Sequence, residues 1–238
     1  MAAEEEAHEL LERAGGDDEL LDDLVRRRAE GEPLAWLVGS VNFCGQRVLV
    51  EPGVYVPRAQ SEELARRAAR LLPPEGIAAD LCTGSGSIAL VLQREHPRAR
   101  VVASEIDAKA VRCAERNGVE VYMGSLTRPL PPELSGRYDV MTAVAPYVPS
   151  DEIVFLPRDV RHYEPLRALD GGPAGITVLA HVITEAALSL LSGGALVVEI
   201  GGDEDDTLIP LLERAGFGHI ESWSDGDRDL RGLAATRS

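Results

Sequence analysis

Cysteine is scarce in this chain: Cys44, Cys82 and Cys113 are all that 238 residues contain. Three thiols so scattered cannot build a disulfide framework. The five histidines, His8, His96, His162, His181 and His219, stand apart, and no Cys/His group has the spacing of metal ligands, so no metal is expected. Aromatic residues make up only 4%; Trp36, Phe43 and Tyr55 are therefore read as core anchors or as the lining of a pocket. No uncharged apolar run approaches the ~20 residues of a membrane span. The N-terminus, M-A-A-E-E-E, is acidic and has no apolar h-region, which predicts no signal peptide. A soluble protein of the reducing cytoplasm follows. Positive charge is also short, with 24 basic residues against 40 acidic ones and a net charge of -16. Nucleic acid and anionic membrane both call for a basic surface, so neither is expected as a partner. The runs Arg26–Arg28 and Arg66, Arg67, Arg70 read as solvated helix faces.

What remains is ordinary for a globular protein: 45% apolar and 27% charged residues. The length suits one α/β domain with a small appendage. Residues 1–40 read as a helical cap, with helices at 4–14 and 17–30 parted by Gly15-Gly16. Asp17 is the N-cap of the second, which Gly31 and Pro33 stop. Residues 41–60 read as a β-hairpin linker: V-N-F-C-G-Q-R-V-L-V, a turn at Glu51-Pro52-Gly53, then V-Y-V-P. Residues 61–238 form the main domain, opening on a helix at 61–72. Strands are expected at Ile77–Leu81, Arg100–Glu105, Val119–Met123, Tyr138–Val144 and Ala195–Ile200. Helices fit at 86–95, 107–117, 173–192 and 205–215, and His219–Trp223 and Gly232–Thr236 close the chain as an antiparallel pair. This alternation predicts a doubly wound, Rossmann-like α/β sheet that ends in two antiparallel strands.

The chemistry concentrates after the first main strand. Asp80-Leu81-Cys82-Thr83-Gly84-Ser85-Gly86 runs from strand into helix, where glycines let the backbone approach a ligand closely. The second strand ends in Ser104-Glu105-Ile106-Asp107. Glu105 stands 19 positions after Gly86, the spacing at which an acid accepts hydrogen bonds from ribose hydroxyls. This pattern alone leaves the cofactor open, because Gly84-Ser85-Gly86-Ser87-Ile88-Ala89 also reads as the G-x-G-x-x-A of nicotinamide dehydrogenases.

Longer blocks resemble the release-factor and ribosomal-protein glutamine methyltransferases. They are R-R-R-A-E-G-E-P-L-A-W-L-V-G (26–39), P-G-V-Y-V-P-R (52–58), D-L-C-T-G-S-G-S-I-A-L (80–90), A-P-Y-V-P (145–149), Y-E-P-L-R-A-L-D-G-G (163–172) and G-G-A-L-V-V-E-I-G (193–201). The resemblance implies a class I methyltransferase fold and S-adenosyl-L-methionine as cofactor. It implies that Asp80 faces the cofactor's amino group and that Cys82, Thr83, Gly84, Ser85 and Gly86 hold its methionine part. Glu105 would take the ribose and Leu126 would lie by the adenine, with Ile106, Ser125 and Val144 also in the cofactor site. The implied acceptor is the glutamine of a release-factor Gly-Gly-Gln sequence. That family holds the acceptor amide through the side-chain oxygen and a backbone carbonyl of Asn-Pro-Pro-Tyr. Here the motif is Val144-Ala145-Pro146-Tyr147, so Ala145, Pro146 and Tyr147 are the candidate catalytic residues and the side-chain acceptor is gone. Ala59, Gln60 and Ser125 also depart from the pattern. These departures predict an altered acceptor, another protein amide or a small nucleophilic metabolite; a non-catalytic cofactor-binding protein is the rival reading. Of the remaining residues, His162 and Glu164 read as a charged surface loop near the acceptor, with His162 a candidate proton acceptor. Cys82 reads as a small filler and Cys113 as core.

Overall fold

The computed structural model describes residues 3–202 and 204–238. Glycine and proline divide the first forty residues into three helices: α1 (Ala3–Ala14), α2 (Asp18–Ala29) and α3 (Leu34–Val38). Asp17 caps α2 as expected, its Oδ1 accepting the N–H of Leu20 at 3.0 Å. Sequence periodicity does not reveal α3, because five residues are too few to show a helical stripe. Leu10, Ala14, Leu24, Leu34 and Leu37 bury one another in a small core of their own.

The hairpin differs from its expected form. Strands β1 (Ser40–Phe43) and β2 (Gln46–Leu49) pair antiparallel around Cys44-Gly45. Both turn residues have positive φ, 50° and 72°, the twist that suits a two-residue hairpin turn. Glu51-Pro52-Gly53 does turn, with the Val54 N–H donating to the Glu51 carbonyl at 3.0 Å. The V-Y-V-P stretch after it is no strand; Val54 and Val56 are buried against Trp36, whose Nε1 donates to the Val54 carbonyl at 3.0 Å.

The main domain runs α4 (Ser61–Leu71), β3 (Ile77–Leu81), α5 (Ser87–Glu95), β4 (Arg100–Glu105), α6 (Ala108–Arg116), β5 (Glu120–Met123), β6 (Tyr138–Ala143), α7 (Arg158–Tyr163), α8 (Thr177–Ser189), β7 (Leu190–Glu199), α9 (Asp205–Arg214), β8 (Phe217–Ser224) and β9 (Leu230–Arg237). Its seven strands lie in the order β5-β4-β3-β6-β7-β9-β8. The first five are parallel, while β9 pairs antiparallel with both β7 and β8. β7 begins at Leu190 rather than Ala195, directly after a shorter α8 than the expected 173–192. Residues 158–163 are helical, where a loop is expected.

The central strands β3, β4, β6 and β7 are mostly buried on both faces and so read as largely apolar runs, while the edge strands β5 and β8 are partly exposed. Ala78 and Val140 point to the side of α4 and α5, whereas Ala79, Leu81 and Met141 point to the side of α8 and α9. The winding direction reverses between β3 and β6, and ligands of open α/β sheets bind beyond the strand ends at such a point.

Candidate functional site

A cavity of about 380 Å³ opens there. Its floor is the turn after β3, where Cys82 and Gly84 both adopt positive φ, 55° and 58°. Gly86, at φ 86°, caps α5; a Cβ there would stand 2.7 Å from Val119 Cγ2, so this glycine serves helix–strand packing and is not on the cavity lining. At Gly84 nothing lies within 4 Å of where a Cβ would stand, so the backbone is open to a ligand.

Glu105, at the end of β4, stitches the floor together. Its Oε2 accepts the Gly84 N–H at 2.9 Å, and its Oε1 accepts the N–H groups of Ile106 and Asp107 at 2.7 and 2.9 Å. A carboxylate has about four lone-pair positions; three are used, and one on Oε2 is left for a donor in the cavity. Asp107 caps α6 through Oδ1, which accepts from Lys109 N at 2.8 Å. Asp80 is 1% exposed. Burial raises its carboxyl to about 6, against the pull of hydrogen bonds from Thr83 and Thr142. Burial, with Glu105 and Asp80 nearby, also pushes the Cys82 thiol far up, so it is no nucleophile at neutral pH.

Of the residues singled out in the sequence, Asp80, Cys82, Thr83, Gly84, Ser85, Glu105, Ile106, Ser125, Leu126, Val144 and Pro146 all line this cavity. Ala145 and Tyr147 do not. Ala145 is buried in the core, and Tyr147 stands behind the wall, its hydroxyl accepting from Gln60 Nε2 at 3.1 Å. Gln60 Nε2 also donates to Glu199 at 3.0 Å, and Ser61 Oγ donates to the same carboxylate at 2.5 Å. Tyr55 lines the cavity, whereas Trp36 and Phe43 are core. His162 is exposed on α7, edge-on to Tyr163, and away from the lining. Glu164 corrects the surface-loop reading: it is buried and paired with Arg58.

Sequence reasoning missed other parts of the wall, among them Gly53, Val54 and Pro57 on one side, Pro165, Arg167 and Ala168 on another, and Val178 and His181 from α8. The first two groups sit inside blocks that carry the family resemblance, which was the available signal. The α8 residues offered none.

Comparisons with known proteins show the family. A family profile described as methyltransferase small domain matches residues 50–126, the stretch from the hairpin through Leu126. A release factor glutamine methyltransferase of Geobacter sulfurreducens is 36% identical over 200 residues, covering 82% of this chain and 69% of that protein. Another, of Mycolicibacterium smegmatis, is 39% identical over 228 residues, covering 91% and 79%. The chain belongs to the release factor glutamine methyltransferase family. It is thus an S-adenosylmethionine-dependent methyltransferase, and the nicotinamide and non-catalytic readings are not favoured. Among solved structures, a ribosomal protein L11 methylase of Lactobacillus delbrueckii superposes with TM-score 0.55 at 18% identity, over 79% of this chain and 84% of that one. A T. thermophilus 16S rRNA N2 G1207 methyltransferase does so with TM-score 0.56 at 19% identity, over 84% and 44%. At such identities the likeness is one of fold.

The cavity fits this cofactor. Besides the open backbone at Gly84 and the spare lone pair of Glu105, the buried hydroxyls of Ser85 and Ser104 on its lining have no partner among the described residues. Buried polar atoms are rarely left unpaired.

Proposed function

We propose that this protein methylates a side-chain amide of a protein acceptor in the cytoplasm, and that Val144 makes the glutamine of release factors a poor substrate. The supporting observation is the place of Val144. It follows β6 directly and lines the cavity together with Pro146, where the family pattern has a hydrogen-bonding Asn.

In this reading Asp80 faces the cofactor's amino group and the turn Cys82–Ser85 holds its methionine part. Glu105 takes a ribose hydroxyl, and Ser125 and Leu126 border the adenine. The bound cofactor supplies an electrophilic methyl group on a sulfonium, so the protein's task is placement. An amide nitrogen is a weak nucleophile because its lone pair is delocalised into the carbonyl, so placement decides the rate. The Val144 side chain accepts nothing, and a buried N–H without a partner costs about 1–3 kcal/mol. Pro146 shapes the wall, and Tyr147 supports it from behind.

The test is methylation of a Gly-Gly-Gln release-factor substrate by the unmodified chain and by Val144→Asn. The first should react poorly. The variant should gain roughly three- to tenfold, the value of one neutral hydrogen bond of about 0.5–1.5 kcal/mol. Efficient glutamine methylation by the unmodified chain would show the side-chain acceptor to be dispensable and sink the reading.

A further inference from the structure

Two segments far apart in sequence cover one side of the cavity. Gly53, Val54, Tyr55 and Pro57 follow the hairpin; Pro165, Arg167 and Ala168 follow α7. One contact on a buried carboxylate joins them. The Glu164 side chain is 1% exposed, its Oε1 is paired with Arg58 Nη2, and its Oε2 accepts the Val56 N–H at 3.4 Å. The guanidinium of Arg58 in turn lies over the ring of Tyr55, 5.0 Å from its centroid. Two weaker attachments flank the pair. Tyr163 meets Trp36 edge-on at 6.1 Å between centroids, and Arg167 stands 3.8 Å from Asp107, largely in solvent.

A carboxylate withdrawn from water this completely is tolerated only while its partner stays in place. The two segments therefore have two consistent states: together with the pair made and Glu164 withdrawn from water, or apart with both charges solvated. The together state is the one that encloses the cavity.

The geometry points to Arg58 and Glu164 as positioning residues that hold a two-piece roof over the cofactor cavity and thereby set how fast S-adenosylmethionine leaves. Neither side chain needs to touch the cofactor. The residues they hold line the cavity: Tyr55 and Pro57 on one piece, Pro165 and Ala168 on the other. This rests on the cofactor placement proposed above.

The experiment measures association and dissociation rates of S-adenosylhomocysteine for the unmodified chain, Glu164→Gln, Glu164→Ala and Arg58→Ala/Glu164→Ala. Amide hydrogen exchange is followed on the same proteins without ligand. Dissociation should speed up on the order of tenfold in Glu164→Ala while association changes little, as expected for a broken buried pair. Glu164→Gln should keep most of the slow rate, because its amide oxygen still accepts from Arg58. The double variant should be no faster than Glu164→Ala, since the two residues act as one unit. Exchange should rise at residues 54–58 and 163–168 and stay unchanged in β3 and β4. Unchanged rates in folded variants would overturn the proposal. So would failure of both Glu164→Ala and the double variant to fold, which would make the pair a staple of the whole fold. If the unmodified chain does not bind S-adenosylhomocysteine, the cofactor placement fails instead, and exchange at the two segments still decides whether the pair holds the roof.

Discussion

At Asp80 opposing effects meet. Burial raises its carboxyl, while hydroxyl donors on Thr83 at 2.5 Å and Thr142 at 2.7 Å favour the charge; burial wins, and the group sits at about 6 instead of 3.8. A folded value above the unfolded one means that the folded protein holds the proton more tightly. The stability this group contributes is therefore fully present below about pH 3.8 and is lost as pH rises to about 6. Cofactor binding has the opposite sign, because only the ionised form attracts an ammonium group. Affinity for S-adenosylhomocysteine should be flat above about pH 6 and fall below it, approaching roughly tenfold per pH unit. Calorimetry across this range checks it. Asp80→Asn should bind about 1–3 kcal/mol more weakly at neutral pH and lose the dependence. Glu204, pushed to about 7 by burial, titrates nearby but lies off the cavity lining. An undiminished pH dependence in Asp80→Asn would assign the proton elsewhere.

Elements are held in place by a few polar side chains that no local pattern announces. Asn117, just past α6, is the clearest. Its Nδ2 donates to the carbonyls of Leu49 and Ser85 at 2.9 and 2.8 Å, and its Oδ1 accepts the Leu49 N–H at 2.9 Å. It thus ties the end of β2 to the glycine turn. Asn117→Ala should cost about 1–3 kcal/mol in urea denaturation, because several half-buried backbone groups lose their partner. Asn117→Asp should recover only the Leu49 N–H bond, and no measurable cost in either variant would deny the tie. The same contrast explains what the sequence revealed. β3 and β4 were legible to the residue, because a buried parallel strand is a continuous apolar run bounded by turn signals. The glycine turn and Glu105 were legible because their spacing is set by the strand–turn–helix unit itself. The hairpin turn was misplaced because Pro52-Gly53 carries a stronger local turn signal than Cys44-Gly45. Glu164 was misread because its partner lies 106 residues away, and no local rule marks a charge that will be buried by a distant one.

Over the whole molecule the sign of the charge matters more than any single contact. One solved protein of similar fold is a 16S rRNA methyltransferase by its description, so fold alone leaves RNA open as a partner. The disposition of the arginines argues against it. Arg26, Arg27 and Arg28 pair with Asp23, Glu32 and Glu6 at 2.5, 2.7 and 2.8 Å. Arg66 pairs with Glu62, while Arg67 and Arg70 share Glu63 at 2.9 and 3.1 Å. Exposed pairs of this kind add little stability, about 0–1 kcal/mol each, yet they neutralise the two basic runs that an RNA backbone would seek. What remains is an acidic field from a net charge of -16, which opposes approach to phosphate. RNA binding driven by phosphate contacts weakens steeply with salt, because each contact releases a counterion. The protein should therefore show no retention on ribosomal RNA near 0.15 M salt, a concentration at which the Debye length is about 8 Å. Any binding at low salt should vanish well before that point. Measuring affinity for ribosomal RNA across a salt series decides the matter. Binding that survives at high salt would mean contacts to bases or to RNA shape that outweigh the acidic surface, and would return RNA to the list of acceptors.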